Sequence, residues 1–349
     1  MDTTSPYRLA INGYGRIGQS LLRALYADQR YRNLKVVAIN ELADLDTLTY
    51  LTRYDTTHGR FPVSVENDGE TLLLNGDAIR VCNEPDAQKL PWGDLRVDLV
   101  MECTGSYTDR TTAERHLAAG AERLLFSQPA NDTIDATVVF GFNNENLSSA
   151  QRIVSSASCT TNCVIPVLDL LDRTYGIHSG VTTTIHSAMN DQPVIDSSHG
   201  TDLRLTRSAM QSMVPVETGL NQGIAKMMPQ LKGRFECLHL RVPTLNVSLM
   251  DLSINLRSQT SATDINRLFQ SAAEGKLRGL IGYTEEPHAS IDFNTDPRSA
   301  IVDGTQTRVC QDSLLKLMVW FDNEWGYANR MLDVAQHWLS LGNNGGDQP

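Results

Sequence analysis

The sequence has few cysteines and no long apolar run, and each shortage excludes a class of protein. Six cysteines among 349 residues are too few for a disulfide framework. The longest apolar stretches, such as residues 36–39 and 314–321, are far shorter than the roughly 20 residues that a membrane-spanning helix needs. Residues 1–6 show neither the basic nor the apolar region of a signal peptide. We therefore expect a cytoplasmic protein with reduced thiols and no membrane partner.

Positive charge is also scarce. The 30 Lys and Arg residues against 41 Asp and Glu residues give a formal charge of −11, which disfavours nucleic acid as a partner. The hydrophobic fraction of 41% and the charged fraction of 20% are typical of a soluble globular chain. A chain of this length predicts about two domains. Residues 342–349, rich in Gly and Asn, have the composition of a disordered tail.

A glycine-rich segment carries the first chemical signal. It forms a G-x-G-x-x-G pattern between a predicted strand at 8–11 and an amphipathic helical pattern. Such glycines make a tight turn, let a pyrophosphate approach the backbone and pack helix against strand, while the helix N terminus faces the negative charge. The residues of this candidate dinucleotide loop are Gly13, Tyr14, Gly15, Arg16, Ile17 and Gly18. The alternative is a glycine turn without a ligand.

An acidic residue follows at the spacing of a dinucleotide site. Glu41 ends the next predicted strand, 23 residues after Gly18, where a carboxylate accepts both ribose hydroxyls and repels a 2′-phosphate. NAD is therefore favoured over NADP, although a surface glutamate at a helix start would give the same pattern. Thr104, Gly105 and Ser127 end later predicted strands. We expect them at the cofactor wall rather than in plain strand-ending turns.

The periodicity changes near residue 158. Before it, β-rich runs alternate with helical patterns, which predicts an α/β fold with a Rossmann-type, doubly wound parallel sheet over 1–158. After it, long strand-like stretches predict an α+β catalytic domain with a mixed or antiparallel sheet over 159–323. The predicted strands are 8–11, 34–39, 97–102, 124–127, 137–140, 152–155, 180–186, 238–242, 247–256 and 314–321, and the later helices are 163–171, 264–274 and 327–341.

The densest chemical signal is the small polar segment 156–163. Cys159 stands where a predicted strand gives way to an amphipathic helix, and a helix N terminus favours the thiolate, which is the form that attacks carbon. Cys163 lies four residues further on. That spacing is not C-x-x-C, and no nearby His completes a tetrahedral site, so we expect a buried structural thiol and no metal.

His186 ends the strand-like run 181–186 and is the candidate base. A lone histidine at a strand end more often has a structural role, and that alternative stays open here. The spacing along the chain does not by itself place this side chain beside Cys159.

Five segments, taken in order, resemble the glyceraldehyde-3-phosphate dehydrogenase superfamily over nearly the whole chain. They are residues 12–18, 158–163, 184–186, 241–244 and 320–330. The resemblance implies a tetrameric, NAD-linked dehydrogenase that oxidises a phosphorylated sugar aldehyde through a cysteine thioester. It further implies that a C-terminal helix at 324–341 completes the NAD-binding domain.

The same resemblance assigns roles to single residues. Cys159 would be the nucleophile, His186 its base, and Asn323 the residue that holds the nicotinamide carboxamide. The positions that match substrate- or phosphate-binding residues of the family are Ser158, Thr160, Arg204, Thr218, Gly219 and Arg241.

Within the superfamily, residues 38–44, 186–192 and 301–308 resemble the erythrose-4-phosphate dehydrogenase branch, which feeds pyridoxal phosphate synthesis. Met189 stands where glycolytic members usually carry a phosphate-binding threonine, and Leu205 replaces the second residue of the usual arginine pair. We therefore expect NAD-dependent oxidation of erythrose 4-phosphate, with water releasing the acid. The alternatives are a phosphorylating glyceraldehyde-3-phosphate dehydrogenase and an NAD-binding sensor without activity.

Overall fold

The computed structural model describes residues 5–199 and 202–342, and the chain divides into two compact units. The first comprises Met1–Ser158 and Ala328–Pro349, and the second comprises Cys159–Tyr327. Apart from Gly342, the expected tail at 342–349 lies outside the described residues. No helix in the two described ranges is long and apolar enough to cross a membrane.

The first unit is built on a mostly parallel sheet with the strand order β10-β11-β9-β8-β1-β2-β7-β6-β5. These strands are β1 (Tyr7–Asn12), β2 (Leu34–Asn40), β5 (Val65–Asn67), β6 (Thr71–Leu74), β7 (Asp77–Cys82), β8 (Leu99–Glu102), β9 (Arg123–Phe126), β10 (Ala136–Thr137) and β11 (Ile153–Ser155); β3 (Tyr54–Asp55) and β4 (Gly59–Arg60) pair separately. The helices are α1 (Arg16–Ala27), α2 (Leu45–Arg53) and α3 (Arg110–Ala118). Leu21 and Leu22 of α1 are buried, as the apolar spacing predicts. The predicted doubly wound sheet is confirmed.

Two parts of this sheet differ from the sequence prediction. The edge formed by β5, β6 and β7 is antiparallel and was not predicted. Its turn is Asn75-Gly76, with φ of 50° and 87°, and such a pair is a strong hairpin signal because both positions need positive φ. The strand predicted at 137–140 ends at Thr137, since the Asn143 side chain accepts the Val139 N–H at 2.8 Å in place of a neighbouring strand.

The second unit has a mixed sheet with the order β13-β14-β12-β15-β19-β17-β16, and β18 pairs with β19. Its strands are β12 (Ile177–Ser187), β13 (Val214–Val216), β14 (Phe235–Val242), β15 (Ser248–Leu256), β16 (Ile281–Thr284), β17 (Ala300–Asp303), β18 (Arg308–Cys310) and β19 (Leu314–Phe321), and its helices are α4 (Cys159–Tyr175), α5 (Leu220–Met227) and α6 (Ala262–Glu274). β12 runs parallel to β14 and antiparallel to β15, which confirms the predicted mixed sheet.

The last helix, α7 (Trp325–Ser340), begins in the second unit and continues in the first. Within the first unit, Tyr31 Oη donates to Asp333 Oδ1 at 2.9 Å, and Trp338 Nε1 donates to the Ser148 carbonyl at 3.2 Å. The Trp338 side chain is completely buried. The C-terminal part of α7 is therefore an integral element of the first unit.

Candidate active site

Three neighbouring strands of the first unit end on polar side chains that bond to one another. Asn12 Nδ2 at the end of β1 donates to Glu102 Oε2 at the end of β8, at 2.5 Å, and Asn40 Nδ2 at the end of β2 donates to Asn12 Oδ1 at 2.8 Å. Glu102 Oε1 also accepts the Thr104 N–H at 2.9 Å. This buried network holds the loops at the carboxyl edge of the sheet, where ligands of such sheets bind.

The glycine loop has no room for side chains at two of its positions. A Cβ on Gly13, whose φ is 90°, would lie 2.6 Å from the Thr104 nitrogen, and a Cβ on Gly18 would lie 2.4 Å from the Gly13 carbonyl oxygen. Gly15 is different, because a Cβ there would meet nothing within 4 Å. Gly15 also precedes α1 without a capping side chain. The loop thus leaves open space at a helix N terminus, which suits a pyrophosphate.

Two side chains of the predicted loop bond to residues in α2 and just after it. The Arg16 guanidinium pairs with Asp55 at 2.6 Å, and Tyr14 Oη bonds to Thr52 Oγ1 at 2.8 Å. Burial raises the pKa of Tyr14 above its usual range. Ile17 lies in the first turn of α1 and is partly buried. The side chains of Tyr14 and Arg16 therefore stabilise the loop.

Glu41 lies against the same loop. Its Oε2 accepts the Tyr14 N–H at 2.8 Å, and its Oε1 accepts the Leu42 N–H at 2.7 Å. Each carboxylate oxygen keeps a second lone pair for a ribose hydroxyl. Thr104 and Gly105 are exposed just beyond β8, and the Ser127 N–H donates to the Glu102 carbonyl at 2.9 Å. These residues fit the walls of a dinucleotide site.

In the second unit, Cys159 and His186 lie together. Cys159 is the first residue of α4, and its Sγ is 3.8 Å from His186 Nε2 near the end of β12. His186 Nδ1 is 2.8 Å from the Ser187 carbonyl oxygen, which can only accept a hydrogen bond. Nδ1 therefore carries the proton of the neutral ring, and Nε2 presents its lone pair to the thiol. This is the geometry of a nucleophile and its base.

The electrostatics of this pair differ from the sequence expectation. Burial raises the pKa of the Cys159 thiol to about 12, although the Thr160 N–H and the Cys159 N–H lower it. Burial likewise lowers the pKa of His186. Burial therefore favours thiol and neutral imidazole in the free protein, while the two N–H groups at the start of α4 lower the thiol pKa in the direction that the sequence predicts. Transfer of the thiol proton to Nε2 would place two opposite charges 3.8 Å apart, and these attract each other.

Asn323 is oriented by two hydroxyls. Its Oδ1 accepts from Ser248 Oγ at 2.8 Å and from Ser187 Oγ at 3.1 Å, which leaves its Nδ2 as the donor for a ligand. Asp322, the neighbour of Asn323, accepts the Trp325 N–H at 2.7 Å and so caps the start of α7. Val247, a β-branched residue with φ of 66°, precedes Ser248 and is strained. The structure thus supports the carboxamide role that the resemblance assigns to Asn323.

The anion-binding candidates fall into two groups. Arg241 on β14 pairs in register with His186 and is buried, and its NH1 donates to Asp191 Oδ1 at 2.5 Å. Thr218 and Gly219 directly precede α5, which packs against α4. Thr160 is buried in the first turn of α4, and Ser158 is the last residue before that helix.

Arg204 is exposed on the short helix Leu203–Thr206, which contacts β13. The side chain of Leu205 is buried, and Met189 is 46% exposed. Neither side chain offers a hydrogen-bond donor to an anion. Cys163 is buried, and the described residues contain no group of three or more His, Cys, Asp or Glu side chains that could hold a metal ion.

Sequence reasoning missed several residues that organise the site. They are Asp191, which pairs with Arg241, the two serines that orient Asn323, and His239, whose ring stacks on His186. Asp191 stands in the polar stretch after His186, which was a usable signal. The serines and His239 lie within strands, where alternation indicates only which face they occupy.

Comparison with known protein families agrees with this geometry. Residues 7–110 match the family described as glyceraldehyde 3-phosphate dehydrogenase, NAD binding domain. Residues 158–323 match the family described as glyceraldehyde 3-phosphate dehydrogenase, C-terminal domain. The first match contains the glycine loop and Glu41, and the second contains Cys159, His186, Arg241 and Asn323.

Proposed function

The chain belongs to the glyceraldehyde 3-phosphate dehydrogenase family, and from that premise we propose that it oxidises erythrose 4-phosphate to 4-phosphoerythronate through a thioester on Cys159. The family makes it an NAD-dependent oxidoreductase that acts on an aldehyde. The observation that carries the proposed chemistry is the 3.8 Å contact between Cys159 Sγ and the unprotonated Nε2 of His186.

The first step uses the proton on Cys159 Sγ, which His186 Nε2 can accept. His186 Nε2 takes the proton from Sγ, and the thiolate adds to the aldehyde carbon, so that a C–S bond forms while the carbonyl electrons move to oxygen. Backbone N–H groups at the start of α4 and the new imidazolium are the donors for that oxyanion. The imidazolium then gives its proton to the oxygen, which completes the hemithioacetal on Cys159.

NAD, when bound, supplies the acceptor for the hydride that leaves this carbon. As the hydride leaves, His186 takes the hydroxyl proton and the carbon becomes a thioester. After that proton passes to solvent, His186 takes a proton from water, the water oxygen adds to the thioester carbon, and the C–S bond breaks. Cys159 leaves as a thiolate and regains a proton, and the acid is released.

Water is favoured over phosphate as the acyl acceptor because donors are missing from the anion-binding residues. Met189 and the buried Leu205 stand where the family usually has a hydroxyl and a guanidinium. Each charge-assisted hydrogen bond lost costs on the order of 1.5 to 3 kcal/mol, enough to change a partition ratio tenfold or more. The likeness of residues 38–44, 186–192 and 301–308 to the erythrose-4-phosphate branch supports the same substrate.

The decisive experiment measures NADH formation with erythrose 4-phosphate and with glyceraldehyde 3-phosphate, each with and without inorganic phosphate. We expect erythrose 4-phosphate to be oxidised in phosphate-free buffer, with little gain when phosphate is added. A strict need for phosphate, with glyceraldehyde 3-phosphate the better substrate, would instead assign the phosphorylating reaction. Binding of NAD without NADH from either aldehyde would identify a sensor.

The assembly and cellular role belong to the same proposal. Ile195, Leu203 and Met213 are each more than 70% exposed in the single chain, and exposed apolar side chains in one segment mark an association surface. We infer a homotetramer, as is general in the family, which acts in the cytoplasm in pyridoxal phosphate synthesis. Sedimentation of the purified protein tests the oligomeric state.

A further inference from the structure

His239 lies against the flat face of the His186 ring. β12 and β14 are parallel neighbours in which Thr184 pairs with His239 and His186 pairs with Arg241. Because paired residues of adjacent strands point to the same face of a sheet, both histidines emerge on one face. Their ring centroids are 5.1 Å apart and their planes are inclined by 27°, which is a stacked arrangement.

Two further contacts of His186 involve its ring nitrogens and not the flat face of the ring. Nδ1 is held by the Ser187 carbonyl oxygen at 2.8 Å, and Nε2 faces Cys159 Sγ at 3.8 Å. Both contacts lie at the edge of the ring and do not prevent it from tilting. The stacked ring of His239 occupies the space into which it would tilt, so the three contacts together determine the orientation of Nε2.

His239 contributes its ring here rather than a hydrogen bond. Its Nε2 is buried and has no hydrogen-bond partner among the described residues. A buried nitrogen without a hydrogen-bond partner destabilises the fold, because it has lost its bond to water. The contact that His239 makes with His186 is therefore the stack of the two rings.

The charges around the two rings are mixed. His186 is faced by Cys159 from α4 and by His239 and Arg241 from β14. The charged groups of Asp191, in the segment after β12, and of Glu324, just before α7, also act on it. Burial, helped by His186 and Arg241, lowers the pKa of His239 to about 3. His239 is therefore uncharged at neutral pH and does not repel a proton on His186. The face of an uncharged aromatic ring attracts a cation stacked on it.

We propose that His239 is a positioning residue for His186, whose ring holds Nε2 toward Cys159 and stabilises the imidazolium formed when the thiol proton is taken up. This inference rests on the proposed function, because it presupposes that Cys159 and His186 act as a pair. His239 would act on the reaction only through the ring of His186.

The test replaces His239 by two residues that both fill the buried volume. His239→Phe keeps an aromatic face and removes the nitrogens, and His239→Leu removes the aromatic face. The readouts are the pH midpoint for alkylation of Cys159 by iodoacetamide, followed on its peptide by mass spectrometry, and kcat and KM for erythrose 4-phosphate. His178→Leu, on the exposed start of β12, is the matched control.

We expect His239→Leu to raise the alkylation midpoint by about half a pH unit and to lower kcat several-fold, the size of a cation–π contact. His239→Phe and His178→Leu should follow the unmodified protein in both readouts, and KM should change little in all three. If the Leu variant keeps the wild-type midpoint and kcat, the inference is overturned. It is equally overturned if the Phe variant behaves like the Leu variant, because the nitrogens would then be responsible.

His186→Asn separates this inference from the proposed function. A wild-type alkylation profile in His186→Asn would show that Cys159 and His186 do not act as a pair, and the proposed function would fail. A shifted profile in His186→Asn together with an unshifted one in His239→Leu would overturn only the role of His239.

Discussion

Cys159 Sγ and His186 Nε2 lie 3.8 Å apart, although their side chains are 27 positions apart along the chain. The contact joins the first residue of a helix to the end of the strand that follows it. Burial raises the pKa of the Cys159 thiol and lowers that of His186, and both shifts favour the uncharged pair in the free protein.

Replacement of the nucleophile should abolish the reaction and leave the cofactor site intact. We expect Cys159→Ala to lower kcat by roughly ten-thousand-fold or more, because no hemithioacetal can form. NAD affinity should stay within experimental error. Cys163→Ala, one helical turn away in the same helix, is the control and should keep most of the activity. Inactivation that follows alkylation of Cys163 rather than of Cys159 would disprove the assignment.

Loss of the base should make the thiol harder to ionise. In His186→Asn the proton of Cys159 has no acceptor at Nε2, while the burial that raises the pKa of the thiol is unchanged. We therefore expect the alkylation midpoint to rise, together with a large loss of kcat. The rate of iodoacetamide labelling between pH 6 and pH 10 measures this. An unchanged profile would remove His186 from its role.

The preference for NAD should depend on the charge of Glu41. Glu41→Gln keeps an oxygen that can accept the Tyr14 N–H but removes the charge that opposes a 2′-phosphate. We expect the ratio of kcat/KM for NAD to that for NADP to fall by about tenfold, or 1.4 kcal/mol. Glu66→Gln, an exposed replacement on β5, should leave the ratio unchanged. Equal use of both cofactors by the unmodified protein would contradict the prediction.

The ion pair of Asp55 and Arg16 should make stability depend on pH. Burial alone would raise the pKa of Asp55, but the Arg16 guanidinium and the N–H groups of His58 and Thr57 hold it at about 2. Because this pKa is below the ordinary 3.8, ionised Asp55 stabilises the fold above about pH 5, and this stabilisation is lost as the pH falls toward 2.

At neutral pH the ionised Asp55 carboxylate contributes about 2 kcal/mol to the free energy of unfolding. We expect Asp55→Asn to unfold at lower urea concentration than the unmodified protein at pH 7, and this difference to shrink at pH 3. Asp94→Asn, at an exposed position in the same unit, is the control. A difference of equal size at both pH values would show that the ionisation of Asp55 does not contribute.

The sequence by itself determined the local elements and the motifs that they carry. Alternating strand and helix patterns predicted both sheets, and the spacing of Gly13, Gly15 and Gly18 predicted a cofactor loop whose packing requires glycine at its first and last positions. Such features are readable because helix period, strand period and turn chemistry depend on neighbouring residues. The five family-like segments pointed to the family that the two domain matches confirm. The roles of the single site residues stay predictions.

Only the tertiary structure decided which side chains meet. The pairing of Cys159 with His186, the contact of Arg241 with Asp191 and the stack of His239 on His186 depend on the register of β12 against β14 and on the helix packed beside them. The tertiary structure also decided the side-chain partners of Tyr14 and Arg16 in the glycine loop, which bond to Thr52 and Asp55. Residues far apart in sequence meet according to packing and strand register, and a single sequence records neither.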